Sequence, residues 1–235
     1  MFSTIGSHGS LTVEQALMNS CNPYMIHLAL EMGNSRFAYY QSLFGFGKIT
    51  GIDLPGETTG IVYGDRMTTI DAACNSFGQT INVNMMQMMA AYCSIINGGM
   101  LYQPHIVKRI ESANGEVVKE YKANLVRQTI TASTSKLLRR YLKNTVEEGT
   151  AKKAGVTGYS VAGKTGTAQK GDRKDNKWII SFIGHAPAEN PKFAIYVVID
   201  EPYGTTGTSG SSADVLTLTH NILEKLLPYM NVYKD

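Results

Sequence analysis

Residues 178–200 read WIISFIGHAPAENPKFAIYVVID, and this stretch determines which class of fold the chain can adopt. Its two apolar runs, 178–186 and 192–200, have the length of strands and are rich in β-branched and aromatic residues. The segment between them, from Pro187 to Pro191, carries two prolines and an Asn, which favour a turn. Because so short a connection can join only antiparallel neighbours, the stretch predicts a β-hairpin.

A third strand is predicted just upstream, where residues 159–169 read YSVAGKTGTAQ. Before it, apolar periodicity and caps predict helices within 11–33 and 133–148, and a C-terminal helix is predicted at 213–227 after a Gly/Ser/Thr loop at 204–212. Helices followed by a hairpin sheet do not form a βαβ alternation. The predicted fold class is therefore α/β of the α+β type, an antiparallel sheet flanked by helices.

The composition fits a single globular domain and argues against several classes of ligand. The 235 residues are 43% hydrophobic and 17% charged, with a net charge of +3 and no long basic run, so we expect no nucleic-acid partner. The three cysteines and five histidines lack metal-ligand spacing, so we predict neither a metal site nor a cofactor. No apolar run reaches the roughly 18 residues of a membrane span.

The segment GYSVAGKT, from Gly158 to Thr165, matches the letters of the Walker A phosphate loop, G-x-x-x-x-G-K-[ST]. Such a loop needs a buried parallel strand before it and a helix starting at its lysine. The preceding residues are too polar for that strand, and the following ones, rich in glycine and charge, do not predict a helix. We therefore expect no nucleotide to bind here.

If 159–169 is instead a strand, Gly163 and Gly166 flank Lys164 and Thr165 within it. Glycine inside a strand costs roughly 0.5–1 kcal/mol, and the usual reason for accepting that cost is the close approach of another backbone. A peptide added along this strand, with Lys164 facing its acidic end, would supply one. A twisted edge strand with a solvated lysine explains the stretch equally well, and both interpretations stay open on these residues alone.

The letters K-T-G at 164–166 resemble the third signature of the penicillin-binding protein and serine β-lactamase superfamily. Far upstream, Ser20-Cys21-Asn22 is similar to the second signature, S-x-N. The similarity to class B penicillin-binding transpeptidases covers nearly all of the chain and includes five further segments in family order, LTVEQALMNSCN, GIDLPGE, SFGQTINV, EEGTAKKAG and WIISFIGHAPAENPKFAIYVVIDEP.

The resemblance implies a peptidoglycan D,D-transpeptidase and assigns roles to matching positions. Ser20 would relay a proton to the leaving amine, Asn22 would hold the substrate amide, and Lys164 would supply a positive field. The residues implied to bind the substrate are Thr165, Gly166 and Thr167, the last also through its backbone amide in the oxyanion hole. For Asn22, an N-cap role before Pro23 is the alternative that spacing alone supports equally.

The first family signature, S-x-x-K, carries the serine that is acylated, and it is expected before S-x-N. The one S-x-x-K in the chain, Ser133 to Lys136, follows S-x-N, and we expect Ser133 to be a helix N-cap. We therefore expect residues 1–235 to be the C-terminal portion of a transpeptidase domain that lacks its central helix and first strands and is not acylated alone. The incomplete sheet would have an exposed edge, which favours self-association.

The implied partners are the peptidoglycan stem peptide and β-lactam antibiotics. The implied location is the extracytoplasmic face of the bacterial membrane, where a parent protein would be tethered. A non-catalytic or regulatory module that binds peptides in the same cleft is the alternative function, and an S-x-x-K upstream in the same gene would favour the enzyme.

Overall fold

The computed structural model describes residues 8–171, 177–202 and 211–234, so the predicted loop at 204–212 lies almost wholly outside the described residues. In chain order the helices and strands are α1 (Val13–Met18), α2 (Asn22–Met32), α3 (Asn34–Leu43), α4 (Thr69–Asn75), α5 (Met85–Ile96), β1 (Met100–Tyr102), β2 (Arg109–Glu111), β3 (Val117–Glu120), β4 (Leu125–Gln128), α6 (Ala132–Glu147), β5 (Ala162–Lys170), β6 (Lys177–Ala186), β7 (Phe193–Asp200) and α7 (Ala213–Tyr229). The predicted class, an antiparallel sheet flanked by helices, is confirmed.

The main sheet has the order β5-β6-β7 and is antiparallel throughout. Lys164 lies opposite Ile183, which in turn lies opposite Tyr196. The hairpin predicted from residues 178–200 and the third strand before it are therefore confirmed. Because Lys164 lies inside a strand and no helix begins there, the Walker A match has the wrong geometry for a phosphate loop.

The sheet lies between two layers of helix. On one face, α7 packs through fully buried side chains against β6, and this core contains Ile180, Phe182, Val215, Leu223 and Leu227. On the other face, α5 and α6 cover a second core that contains Tyr92, Ile96, Leu142, Ala162 and Ala188. Each fully buried aliphatic or aromatic side chain contributes roughly 1.5–3 kcal/mol. Burial on both faces therefore fixes β5 relative to α6.

The N-terminal helices form a separate cluster that meets the sheet layer through α6. A capping box between Thr12 and Gln15 begins α1, and Gly33 ends α2. The carboxylate of Glu14 accepts a hydrogen bond from the Asn144 amide of α6 and pairs with Arg140 at 3.6 Å. These contacts hold the turn after α1 beside the end of α6.

Two predicted N-caps are wrong by one or two positions. Helix α2 is preceded by Cys21 as N-cap, so Asn22 is its first residue and does not cap it. Helix α6 is capped by Thr131, whose hydroxyl accepts from the Thr134 amide, and Ser133 lies in the first turn. At α6 several Ser and Thr residues stand together and each could accept that bond, whereas at α2 no side chain accepts a cap hydrogen bond.

Two small antiparallel sheets complete the fold. Strands β2 and β3 form an antiparallel hairpin in which both strands are exposed. Strands β1 and β4 also pair, and the sequence did not predict them. In the described part of the chain no helix is long and apolar enough to cross a membrane.

Candidate active site

Ser20 lies in the tight turn between α1 and α2. Its backbone amide donates to the Leu17 carbonyl at 3.2 Å, and the Cys21 amide donates to the Ala16 carbonyl at 2.9 Å. Ser20 has a φ of 51°, in the left-handed region that non-glycine residues seldom adopt. A backbone strained in this way persists only where the surrounding structure imposes the conformation, and such residues are concentrated at functional sites. The described side-chain contacts of the Ser20 hydroxyl are all with groups outside α1 and α2.

Lys164 lies near the start of β5, which pairs with β6 along one of its edges. Its two neighbouring glycines are explained by the sheet itself. A Cβ at Gly163 would lie 2.5 Å from the Ile183 carbonyl oxygen, and one at Gly166 would lie 2.6 Å from the Ser181 hydroxyl. Close approach of a backbone is thus the right reason for Gly163, but that backbone belongs to the adjacent strand and not to a bound peptide.

The two signatures meet in one hydrogen bond. The Lys164 ammonium donates to the Ser20 hydroxyl across 144 positions of sequence. The same nitrogen lies 3.0 Å from the Thr165 carbonyl oxygen and 3.4 Å from the Thr165 hydroxyl. Burial lowers the pKa of Lys164 from 10.5 to about 8, because a partly dry site disfavours the charged ammonium. An amine whose pKa lies close to neutral pH can exchange a proton with a hydroxyl beside it.

A fourth group, Thr150, stands between the two signatures, and the sequence did not identify it. Its backbone amide donates to the Met18 carbonyl at 3.1 Å. Its hydroxyl lies 3.4 Å from that of Ser20 and 3.3 Å from that of Thr165. The only local signal was its place in EEGTAKKAG, one of the family-like segments, directly after a predicted helix end.

Helix α6 holds Thr150 there through two close contacts. The buried Thr145 hydroxyl donates to the Gly163 carbonyl of β5, which joins the last turn of α6 to the strand before Lys164. A Cβ at Gly149 would lie 2.8 Å from the Met18 carbonyl oxygen and 2.9 Å from the Thr145 backbone, so only glycine allows α1 and α6 to approach this closely.

The remaining predicted site residues surround this cluster without a described side-chain bond to Lys164. Asn22 is exposed, and its amide is not used as the helix cap. Cross-strand pairing puts Gly166 opposite Ser181 and Thr167 opposite Ile180, and Thr167 is exposed. The structure therefore brings together Ser20, Lys164 and Thr165 and leaves the other three outside this hydrogen-bonded cluster.

The S-x-x-K of this chain lies at the far end of α6. The Ser133 hydroxyl is exposed and lies 2.9 Å from the Thr131 hydroxyl. Twelve residues of helix separate Ser133 from Thr145, about 18 Å at 1.5 Å per residue. Ser133 and Lys136 are therefore not part of the cluster around Lys164. Among the described residues, no group of three His, Cys, Asp or Glu side chains could hold a metal ion.

Comparison with known proteins agrees with this geometry. The family described as "Penicillin binding protein transpeptidase domain" matches residues 3–224. Stage V sporulation protein D of Bacillus subtilis is 40% identical over 97% of this chain, and peptidoglycan D,D-transpeptidase FtsI of Escherichia coli is 33% identical over 98%. The chain covers 36% and 38% of those two proteins, so it spans little more than a third of their length.

Solved structures give the same result. Penicillin-binding protein 3 of Mycobacterium tuberculosis, without ligand, superposes with a TM-score of 0.85 at 29% identity over 95% of this chain and 53% of that one. The same protein complexed with ampicillin gives a TM-score of 0.86 at 31% identity over 95% and 52%. With its S-x-N and K-T-G signatures in hydrogen-bond contact, this chain belongs to the penicillin-binding protein transpeptidase domain family.

Proposed function

We propose that residues 1–235 are the C-terminal portion of a peptidoglycan D,D-transpeptidase domain, which transfers the acyl group of a D-Ala-D-Ala stem peptide. The observation that carries the proposal is the hydrogen bond from Lys164 to Ser20, which joins two family signatures 144 positions apart. The contact supports a proton-transferring role because it pairs a hydroxyl with a lysine whose pKa is about 8.

In this proposal Ser20, Asn22 and Lys164 are the catalytic groups. Near pH 8 Lys164 is close to half protonated, so it can take a proton from Ser20 or return one as the amine leaves. Its positive form also attracts the substrate carboxylate. Asn22 would hold the substrate amide, which is compatible with an exposed side chain that the helix does not use.

The substrate would lie along the outer edge of β5. Among the described residues β5 pairs only with β6, so its other edge can accept an extended peptide. The groups that would bind the substrate carboxylate and the developing oxyanion are Thr165, Gly166 and Thr167. Penicillin-binding protein 3 of M. tuberculosis has been crystallised with ampicillin and with aztreonam, which supports β-lactams as ligands of this site.

The nucleophile of the reaction would come from a segment outside this chain. Ser133 and Lys136 are unsuitable because about 18 Å and about 13 Å of helix, respectively, separate them from Thr145, which bonds to the strand before Lys164. A serine without a neighbouring base is a poor nucleophile. We therefore infer that the chain alone is not acylated. The parent protein would be tethered to the membrane and act at its extracytoplasmic face, where peptidoglycan is.

One observation favours a second candidate, a non-catalytic module that binds or senses peptides. The open edge of β5 and the Lys164 cluster are sufficient for binding an acidic peptide without any nucleophile. Such a module would bind stem peptides reversibly and would not react with penicillin in any longer form.

Lysine variants test the proposal in a longer chain, in which these residues follow the S-x-x-K segment of their own gene. Lys164→Gln should reduce the second-order rate of acylation by benzylpenicillin at least about 100-fold, since it removes both a charge and a proton carrier. Lys170→Gln is the matched control, because Lys170 lies on the same strand, is partly exposed and pairs with Asp200 at 2.9 Å. Equal rates for the two variants would refute the assignment of Lys164.

A further inference from the structure

Four polar groups at the candidate site form a closed ring. The Lys164 ammonium contacts the Ser20 hydroxyl, Ser20 lies 3.4 Å from Thr150, and Thr150 lies 3.3 Å from Thr165. The ring closes because the Thr165 hydroxyl lies 3.4 Å from the Lys164 nitrogen. The ammonium can only donate, and it donates to both Ser20 and Thr165, so the remaining hydroxyl protons can run from Ser20 to Thr150 and from Thr150 to Thr165.

Thr150 is the member of the ring that neither signature contains. Its backbone is anchored independently of the ring, by the amide that donates to the Met18 carbonyl at 3.1 Å. Gly149 before it is packed against the backbone of both α1 and α6. The segment directly after α6 therefore holds the Thr150 hydroxyl between the S-x-N turn and the K-T-G strand.

We propose that Thr150 is a positioning residue for the reaction: its hydroxyl accepts the proton of Ser20, donates to Thr165, and so fixes the Ser20 oxygen as the acceptor for Lys164. A hydroxyl that donates onward is a better acceptor, because hydrogen bonds in a chain polarise one another. Without Thr150, Ser20 is free to rotate and its bond to the ammonium weakens. The catalytic consequence rests on the proposed function, whereas the ring itself does not.

The surroundings of Lys164 make its charge a sensitive reporter of this ring. Among the described residues no carboxylate lies within ion-pair distance of it. The acidic groups on the elements that pack around it are engaged elsewhere, Glu14 with Arg140 at 3.6 Å and Glu147 with Lys143 at 3.6 Å. Hydroxyl and carbonyl oxygens are therefore its described acceptors, and changing one of them should alter its protonation.

Competitive labelling of this chain with acetic anhydride, followed by peptide mass spectrometry across pH 6–11, tests the ring without any penicillin chemistry. We expect the Lys164 midpoint of the Thr150→Val variant to fall by about half a pH unit, the effect of one weakened bond to a charged group. Thr150→Ser keeps the hydroxyl and should restore the original midpoint. Labelling of Lys170 serves as the internal control and should not change.

An unchanged Lys164 midpoint in Thr150→Val, with the fold intact, would overturn the proposal, as would a shift that Thr150→Ser shares. If Thr150→Val unfolds, Thr150→Ala, which adds no volume, replaces it with the same expectation. In the longer chain, Thr150→Val should slow acylation by benzylpenicillin about tenfold, with Thr150→Ser near the original rate. A midpoint shift without any acylation in the original longer chain would keep the ring and refute the proposed function.

Discussion

The stability of the fold should depend on pH through one buried histidine. His185, near the end of β6, is fully buried. The Tyr92 hydroxyl lies 2.8 Å from its Nδ1, and its Nε2 lies 3.2 Å from the Ala188 carbonyl oxygen. Since a carbonyl only accepts, Nε2 carries the proton and Nδ1 accepts from Tyr92. Burial, assisted by the nearby Arg139 and opposed by the hydrogen bond to Ala188, lowers the pKa of His185 from 6.5 to about 4.

The sign of the effect follows from proton binding. Between pH 6.5 and about 4 the unfolded chain binds a proton at His185 that the folded chain does not, so folding becomes less favourable as the pH falls. Above pH 7 both states hold the neutral ring and the contribution is constant. With about 1.4 kcal/mol for each pKa unit, the loss is about 2 kcal/mol at pH 5 and about 3 kcal/mol when the pH falls below the folded pKa.

Urea unfolding, followed by the fluorescence of the single tryptophan, measures this loss at pH 7.5 and pH 5. Carboxylates also contribute to the acid dependence, so the useful quantity is the difference between variants. His185→Gln should lose about 2 kcal/mol less than the original chain between the two pH values. His27→Gln, at an exposed helix position, should behave as the original. Equal pH dependence in His185→Gln and the original chain would refute the reasoning.

Three other predictions concern packing, capping and the sheet edge. Gly149→Ala should lower the free energy of unfolding in urea by about 1–3 kcal/mol, because the added Cβ would clash with the backbone of α1 and α6. The control Gly155→Ala should change it by less than about 1 kcal/mol. Equal effects of the two substitutions would contradict the close packing of α1 and α6. Thr131→Ala should lower the free energy of unfolding in urea by about 1 kcal/mol, and Ser133→Ala should lower it much less. A larger loss for Ser133→Ala would show that Ser133 is the N-cap after all. Strand β7 has one described neighbour, β6, so we expect the chain to self-associate through its other edge as the protein concentration rises in sedimentation experiments. Val198→Lys should abolish this self-association. A monomer at high concentration of the original chain would contradict the prediction.

The main sheet was predictable because its strands are defined by local pattern. Residues 178–200 contain two strand-length apolar runs and a proline-bounded turn, and both features hold whatever surrounds them. Strands β1 and β4 were missed because each has only three or four residues and exists through pairing with a partner over twenty positions away. Short strands of that kind depend on tertiary contacts more than on propensity.

The candidate site was predictable only in part. Ser20 and Lys164 were found through family resemblance, since no local rule states that residues so far apart will meet. Thr150 was missed because its position depends on the packing of Gly149 between two helices, which spacing does not reveal. For the glycines of β5 we expected the close approach of another backbone. This holds for Gly163, but the approaching backbone belongs to β6 and not to a bound peptide.

Intact mass after incubation with benzylpenicillin tests the central claim most directly. The claim is that this chain carries the Ser20–Lys164 half of a penicillin-binding site whose acylated serine lies in another segment. The account predicts no adduct on this chain and one adduct per molecule on the longer chain, mapped to the serine of its upstream S-x-x-K. An adduct on this chain at Ser20 or Ser133, or no adduct on either chain, would contradict it.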